Sequence, residues 1–320
     1  MNPRSAILLL LLHFLTSAAA AGDIFTPFNI SALCTSQLPD ISSLPSDRLT
    51  VLISAYHPSR STLLRRLTLS YSSLPSVSSV LVLWSNPSSP PHPSLITHKL
   101  HLLRLPSPSL NLRFLPIPSP LLRSRFVAVA DDDVFPSPGA LSFALSLAAR
   151  HPRSLLGFFP RSHALDLSSR SWIYTLHRDR YSIVLTKLML LRADYLHKYS
   201  CSPALIAARA VVDRERNCED ILMNFVAAME TGEGPLLVAG RVRDHGDPRN
   251  QDAGGAGQAR RVGLSARKQH WERRGRCIAE FHRLLGVMPL RYSYGKMVDE
   301  IGEQGLCRKG GKLVSCDQDA

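Results

Sequence analysis

The stretch Phe126–Ala130 (FVAVA) runs directly into Asp131-Asp132-Asp133, and this junction restricts the fold more than any other part of the chain. A short continuous run of apolar and β-branched residues reads as a strand buried on both faces, as in a parallel sheet. Three adjacent carboxylates repel one another unless cations or hydrogen-bond donors offset the repulsion, so they cannot continue into that core. They must emerge at the strand's carboxyl end, which is where open α/β sheets bind their ligands. In extended chain Asp131 and Asp133 project to one side and Asp132 to the other. Oxygen ligands presented together suit Mg2+ or Mn2+ bridging to a diphosphate. The competing reading, a solvated acidic turn, leaves the buried strand before it without a purpose.

The rest of the first half repeats the strand-and-helix theme. Leu49–Ala55 (LTVLISA) and Val80–Trp84 read as buried strands, and His98–Leu105 as a third. Between the first two, Ser61–Ser73 carries Leu63, Leu64 and Leu67 at helical spacing, with Arg65 and Arg66 on the other side. Ser85–Ser94 and the Pro-rich connection through Pro120 read as loops. Strands alternating with helical stretches predict an α/β domain with a mostly parallel sheet. The second half is less regular. Ser154–Pro160 and Tyr181–Thr186 read as strands, Cys218–Glu230 and Ala266–Leu285 as helices, and Asp252–Gln258 (DAGGAGQ) as a loop.

A chain of 320 residues, 45% hydrophobic and 20% charged, suits one large domain or two ordinary ones and excludes a wholly disordered protein. A net charge of +13 favours anionic partners. The N-terminus narrows these. Ala6–Leu12 and Phe14–Ala21 form an apolar run broken only by His13 and preceded by Arg4. It reads as a secretory signal, either cleaved near Ala21 or kept as an anchor over residues 1–22, with the bulk of the chain in the lumen. Residues 23–48 read as a stem. Secretory entry argues against nucleic acid as the partner. Asn29-Ile30-Ser31 is a glycosylation acceptor triplet. Cys34, Cys201, Cys218, Cys277, Cys307 and Cys316 are scattered and contain no CxxC, which implies one to three disulfides with the pairing open.

Asn217-Cys218-Glu219-Asp220 opens the helix that continues ILMNFVAAM. Asn217 reads as its N-cap, and acids in the first turn are stabilised by the helix dipole, an account that needs no catalysis. Arg260, Arg261, Arg267, Lys268, Arg273, Arg274 and Arg276 crowd the last long helix and its approach, with Trp271 among them. Glu272 gives only Arg276 an i,i+4 partner. Such a face is solvated, grips an acidic polymer, or neutralises a diphosphate. The chain has no GxxxxGK[ST], GxGxxG or GxSxG motif.

Several pieces occur in a telling order: Leu49–Tyr56, Val80–Asn86 ending in Trp-Ser-Asn, Asn111-Leu112-Arg113-Phe114, the acidic triplet followed by Val134, and NCEDILMNF from Asn217 to Phe225. Together they resemble the exostosin-like glycosyltransferases, glycosyltransferase family 64. Within that family they look most like the short plant glycosylinositol phosphorylceramide mannosyltransferases. The resemblance implies a GT-A fold over residues 49–300, a Rossmann-like nucleotide-binding half with a mixed sheet fused to an acceptor-binding half, and a C-terminal tail over 301–320. It implies a nucleotide-sugar donor, Mn2+ (with Mg2+ as the alternative) and retention of anomeric configuration, by front-face attack or through a covalent intermediate.

By the same resemblance Ser54 and Arg60 contact the nucleotide base, Asn86 binds the donor, and Arg113 meets the diphosphate or the base. Asp131 meets the ribose, with Asp132 beside it, and Asp133 holds the metal. Glu219 and Asp220 lie at the donor sugar, Asp220 as the catalytic residue, and Arg274 binds the donor phosphates. Cys218 and Cys277 form a disulfide. Leu112 departs from a common Asn. The implied reaction moves mannose from GDP-mannose onto glycosylinositol phosphorylceramide, a glycosphingolipid, at the Golgi membrane, catalysed by a lumenal domain behind a single N-terminal span. Two alternatives stay open: a UDP-N-acetylhexosamine donor acting on a glycan or glycolipid, and a secreted basic protein that binds acidic polysaccharide without turnover.

Overall fold

The computed structural model describes residues 30–35, 39–89, 99–246, 269–299 and 305–316. The N-terminal apolar segment, Asn29, the Gly-rich loop Asp252–Gln258 and the cations Arg260, Arg261, Arg267 and Lys268 lie outside the described residues. Among the described residues no helix is long and apolar enough to cross a membrane.

Helix α1 (Ile30–Thr35) is tied by a Cys34–Cys201 disulfide to the end of a later helix. The first half then runs β1 (Leu49–Ala55), α2 (Ser61–Ser73), β2 (Val77–Trp84), β3 (Leu100–Arg104), β4 (Phe126–Asp131), β5 (Val134–Pro136), α3 (Pro138–Arg150) and β6 (Leu156–Gly157). The second half runs β7 (Pro160–Asp166), β8 (Ser171–Thr175), β9 (Ile183–Val184), β10 (Leu188–Arg192), α4 (Asp194–Cys201), α5 (Ile206–Glu215) and α6 (Glu219–Thr231). It closes with β11 (Leu236–Ala239), β12 (Val242–Asp244), α7 (His270–Leu285), β13 (Lys296–Val298), β14 (Gly305–Lys309) and β15 (Lys312–Cys316).

The main sheet has eight strands in the order β13-β11-β6-β10-β4-β1-β2-β3. Its left-to-right pairings are parallel except at β10, which lies antiparallel between β4 and β6. The sheet is thus mostly parallel, as read from the sequence, and mixed through one reversed strand, as the resemblance implied. The reversal has a direct consequence for the site. Leu188 pairs with Ala130 at the carboxyl end of β4, so the residues leading into β10 arrive beside the acidic triplet.

Both faces of the sheet are covered, as continuous apolar strands require. β1 sends Leu52 to one core and Val51 and Ile53 to the other; β4 likewise divides Val127 and Val129 from Phe126, Ala128 and Ala130. One core is closed by α2 and α3 through Leu64, Tyr71, Leu141 and Ala144. The other is closed by α4 to α7 through Tyr199, Val212, Ile221 and Phe281. Each such side chain removed from water contributes on the order of 2 kcal/mol. Helix α3, absent from the periodicity reading, starts with Pro138 behind an Ser137 cap whose Oγ accepts the Ala140 N–H at 3.2 Å.

Outside the main sheet, β8, β7 and β9 form a three-stranded sheet, and β5 pairs antiparallel with β12. Helix α7 lies close on β8. A Cβ at Gly275 would stand 3.2 Å from the Trp172 carbonyl, so the glycine permits that approach.

Candidate active site

The carboxyl end of β4 gathers charge from five segments. Asp131, the last residue of β4, pairs with the guanidinium of Arg113, which lies within the 3-10 turn Leu110–Phe114. Arg113 also donates to Glu219 Oε1 at 2.9 Å, Ser54 Oγ at 3.1 Å and Thr186 Oγ1 at 3.1 Å. Thr186 donates in turn to Glu219 at 3.1 Å. Burial works against the Arg113 charge, but Asp131 and Glu219 more than offset it and hold its pKa above the ordinary value. Glu219 is also raised, but for a carboxyl this disfavours the charged form. Burial, then the adjacent Asp220, raises its pKa against the pull of Arg113 and Arg274.

The other two acids of the triplet meet Arg60, which closes a 3-10 turn after β1. Its Nη1 lies 2.6 Å from Asp132 and 3.0 Å from Asp133. Burial raises the Asp132 carboxyl, opposed by Arg60. Asp133 is pushed up to about 6 by burial and by Asp131, with Asp132 and Asp244 adding to the effect. One oxygen of Asp133, Oδ1, is buried without a hydrogen-bond partner. A buried acid with a free oxygen and surplus negative charge around it fits a hard divalent cation.

Helix α6 brings the second acid pair. The sequence reading placed its N-cap at Asn217; the structure places Cys218 there instead, in the left-handed region at φ +79°, with Glu219 and Asp220 as the first helical residues. Arg216, at φ +48°, ends α5 in the same region. Two non-glycine residues so placed cost roughly 1–2 kcal/mol each and persist only where the surroundings over-determine them. Here the Cys218–Cys277 disulfide fastens the start of α6 to α7. Asn217 turns its Oδ1 to the Cys218 N–H at 2.8 Å and to Arg274 at 2.9 Å.

Arg274 projects from α7 into this junction. It lies 2.5 Å from Asp220 Oδ2, with its guanidinium carbon 4.4 Å above the Tyr174 ring. Burial opposes its charge, and Asp220 outweighs that, holding the Arg274 pKa above its ordinary value. The contacts thus form a path of three ion-paired groups joined through chain neighbours: Asp133 and Asp132 on Arg60, Asp131 and Glu219 on Arg113, and Asp220 on Arg274.

Of the site residues expected from the sequence, Ser54, Arg60, Arg113, Asp131, Asp132, Asp133, Glu219, Asp220 and Arg274 join this path. Asn86 reaches the same edge but its amide is engaged by the loop, donating to the Tyr56 carbonyl at 3.1 Å and accepting the Ser88 N–H at 3.0 Å. The basic stretch divides. Arg274 is buried, Arg273 lies 3.8 Å from Glu215, and Arg276 is exposed. Half-exposed Trp271 stands 5.1 Å from Tyr174 at the rim. Sequence reasoning missed Thr186, Tyr174, Lys187 and Asp244. Lys187 pairs with Asp244, which β12 carries to a place opposite Val134. None of the four sits in a local pattern that marks it.

Comparison with known proteins matches residues 49–302 to the glycosyl transferase family 64 domain. The protein "Glycosyltransferase family protein 64 C3" of Arabidopsis thaliana is 49% identical over 295 residues, 88% of each chain. Human "Exostosin-like 2" is 28% identical over 271 residues, 80% of this chain and 78% of that one. "Glycosylinositol phosphorylceramide mannosyl transferase 1" of Arabidopsis thaliana is 28% identical over 261 residues, 74% and 72% of the two chains. Among solved structures, a 4-diphosphocytidyl-2C-methyl-D-erythritol synthase shares 16% identity at a TM-score of 0.37, covering 64% of this chain and 91% of that one, too remote to carry an inference.

Proposed function

The chain belongs to glycosyltransferase family 64, and from that premise we propose that it transfers mannose from GDP-mannose to the headgroup of a glycosylinositol phosphorylceramide. The fold in this reading is GT-A, the cation is Mn2+, the anomeric configuration is retained, and the site of action is the lumenal face of the Golgi membrane. The observation that carries the reading is the set of three ion-paired groups from Asp133 to Arg274, joined through the chain neighbours Asp131-Asp132 and Glu219-Asp220. It links a cation-fitting carboxylate at the end of β4, through Arg113, to the buried acid pair of α6 and the buried Arg274 of α7.

Breaking a sugar–phosphate bond leaves a diphosphate whose negative charge grows as the bond lengthens. Arg274 and Arg113, fixed by buried partners before the donor arrives, stabilise that charge without reorganising. Asp220 sits at the positive end of α6 and beside Arg274, where its carboxylate stabilises a cationic sugar carbon or orients the acceptor hydroxyl. Asp133 holds the divalent ion, which when bound supplies Lewis-acid neutralisation of the departing diphosphate. Among the described residues no group of three or more metal-ligating side chains is assembled, and Asp133, with its unpartnered Oδ1, is the side chain that would hold the ion. Ser54 lies at the end of β1 and Arg60 closes the turn after it, where the reading puts the nucleotide. The net charge of +13 suits an acceptor bearing phosphate at an anionic membrane surface.

Identity is 28% both to the mannosyl transferase and to exostosin-like 2, so the comparison does not single out the mannosyl transferase, and the UDP-N-acetylhexosamine donor left open by the sequence is the second reading. The test is turnover of a panel of GDP- and UDP-sugars by the purified protein, with and without Mn2+, on glycosylinositol phosphorylceramide. Mn2+-dependent mannose transfer is expected. Transfer from UDP-sugars alone would replace the donor, and salt-sensitive polysaccharide binding with no turnover of any donor would sink the reading.

A further inference from the structure

The segment Asp244-His245-Gly246 confines Asp133 from the side away from the triplet. The His245 N–H donates to the Asp133 carbonyl at 2.7 Å. Gly246 comes so near that a Cβ there would meet Asp133 Oδ2 at 2.5 Å and its Cγ at 3.1 Å. The backbone of Gly246 itself stays out of the left-handed region, so an alanine is barred by the carboxylate and not by φ.

Asp244 shapes this turn. Its Oδ1 accepts the Gly246 N–H at 3.0 Å, and its Oδ2 takes the ammonium of Lys187. Lys187 stands just before β10, and its carbonyl accepts the Asp131 N–H at 3.2 Å. The ion pair is therefore anchored at one end to the acidic triplet and at the other to the turn that presses on Asp133. The two residues are 57 positions apart and meet because β10 pairs with β4 while β12 pairs with β5. Lys187 also offsets the charge that Asp244 adds beside three other acids.

We propose that Lys187 and Asp244 are positioning residues for cation binding. Their ion pair sets the 244–246 turn against Asp133 and aims the free oxygen of that carboxylate at a divalent ion. The proposal rests on Asp133 being the cation's protein ligand. Outer partners that orient a ligating side chain typically change metal affinity about 10- to 100-fold when removed.

The test measures Mn2+ uptake by the full chain in the presence of GDP, from the EPR signal of free Mn2+. Lys187→Met, Asp244→Asn and Gly246→Ala should each weaken uptake roughly tenfold or more, and Lys187→Arg should retain most of it. GDP affinity without metal should change little, which a general structural lesion would not allow, while Lys187→Met, by removing the cation beside buried Asp244, should also lower the melting temperature. If Lys187→Met does not fold, Gly246→Ala carries the test, because it disturbs the carboxylate directly. Parental Mn2+ affinity in these folded variants, or a parallel loss of metal-free GDP binding, overturns the positioning role while leaving Asp133 as ligand. Unchanged uptake in Asp133→Asn, or none by the parent, overturns the ligand assignment and this proposal with it.

Discussion

Replacing Arg274 by Met isolates the most enclosed ion pair in the molecule's charged edge. The side chains of Arg274 and Asp220 are 6% and 4% exposed and lie 2.5 Å apart. Methionine fills much of the same volume but leaves the Asp220 carboxylate buried without its partner. One-sided removal of a buried pair costs about 3–5 kcal/mol, which for a chain of this size is on the order of 10 °C in melting temperature. Asp220→Asn is gentler. It keeps the shape, and Arg274 retains Asn217 at 2.9 Å and the Tyr174 ring at 4.4 Å. Removing both charges together is often close to neutral relative to losing one, so the double variant should melt above Arg274→Met alone. Denaturant unfolding of the parent, both single variants and the double variant gives the coupling, expected on the order of 2 kcal/mol. In the transfer assay Asp220→Asn should bind donor and lose most turnover. A cost below about 1 kcal/mol for Arg274→Met, or strict additivity in the cycle, would show that water reaches the pair and refute the reasoning. Parental turnover by Asp220→Asn would remove the role assigned to that acid.

Two further outcomes follow from the same contacts. Arg60 stands on Asp132 and Asp133 with its side chain 39% exposed, so an incoming cation must compete with it. Arg60→Ala should tighten Mn2+ binding in the absence of nucleotide by roughly twofold to fivefold while weakening nucleotide binding; weaker Mn2+ binding on titration would contradict this. His163 is buried, with Nδ1 2.7 Å from Ser182 Oγ and its ring stacked on Tyr292 at 4.8 Å. Burial, followed by the charges of Arg180, His177 and Arg291, pushes its pKa down from 6.5 to about 4. The unfolded chain therefore takes up this proton first. The His163 contribution to stability should be full above about pH 6.5 and fall by roughly 3 kcal/mol as the pH drops from there to about 4, while the raised Asp133 carboxyl contributes with the opposite sign, so the histidine's share is read as the difference between parent and variant. His163→Gln should flatten that slope, measured by unfolding at a series of pH values.

Where the physical signal is local, the sequence determined the outcome. β1 over Leu49–Ala55 and α2 over Ser61–Ser73 fall where strand and helix periodicity put them. β4 delivers its acids to the carboxyl edge because three carboxylates cannot enter a core. α6 begins one residue after its expected start, since Cys218 is held as a cap by contacts with α7. The short strands lost definition: β6 and β9 are two residues each, inside longer spans that read as strands, and β2 gains Val77 to Ser79 at its start by pairing with β1.

The tertiary structure alone decided which distant charges meet. Nothing in the composition around Leu188–Arg192 marks β10 as reversed, yet that reversal brings Thr186 onto Glu219 and Lys187 onto Asp244. Arg113 and Glu219 are 106 residues apart, and Arg274 and Asp220 are 54 apart. A periodic pattern tells which face of an element is apolar, because burial acts on each residue where it stands. An ion pair depends on strand order and direction, which are settled only when all the layers pack at once.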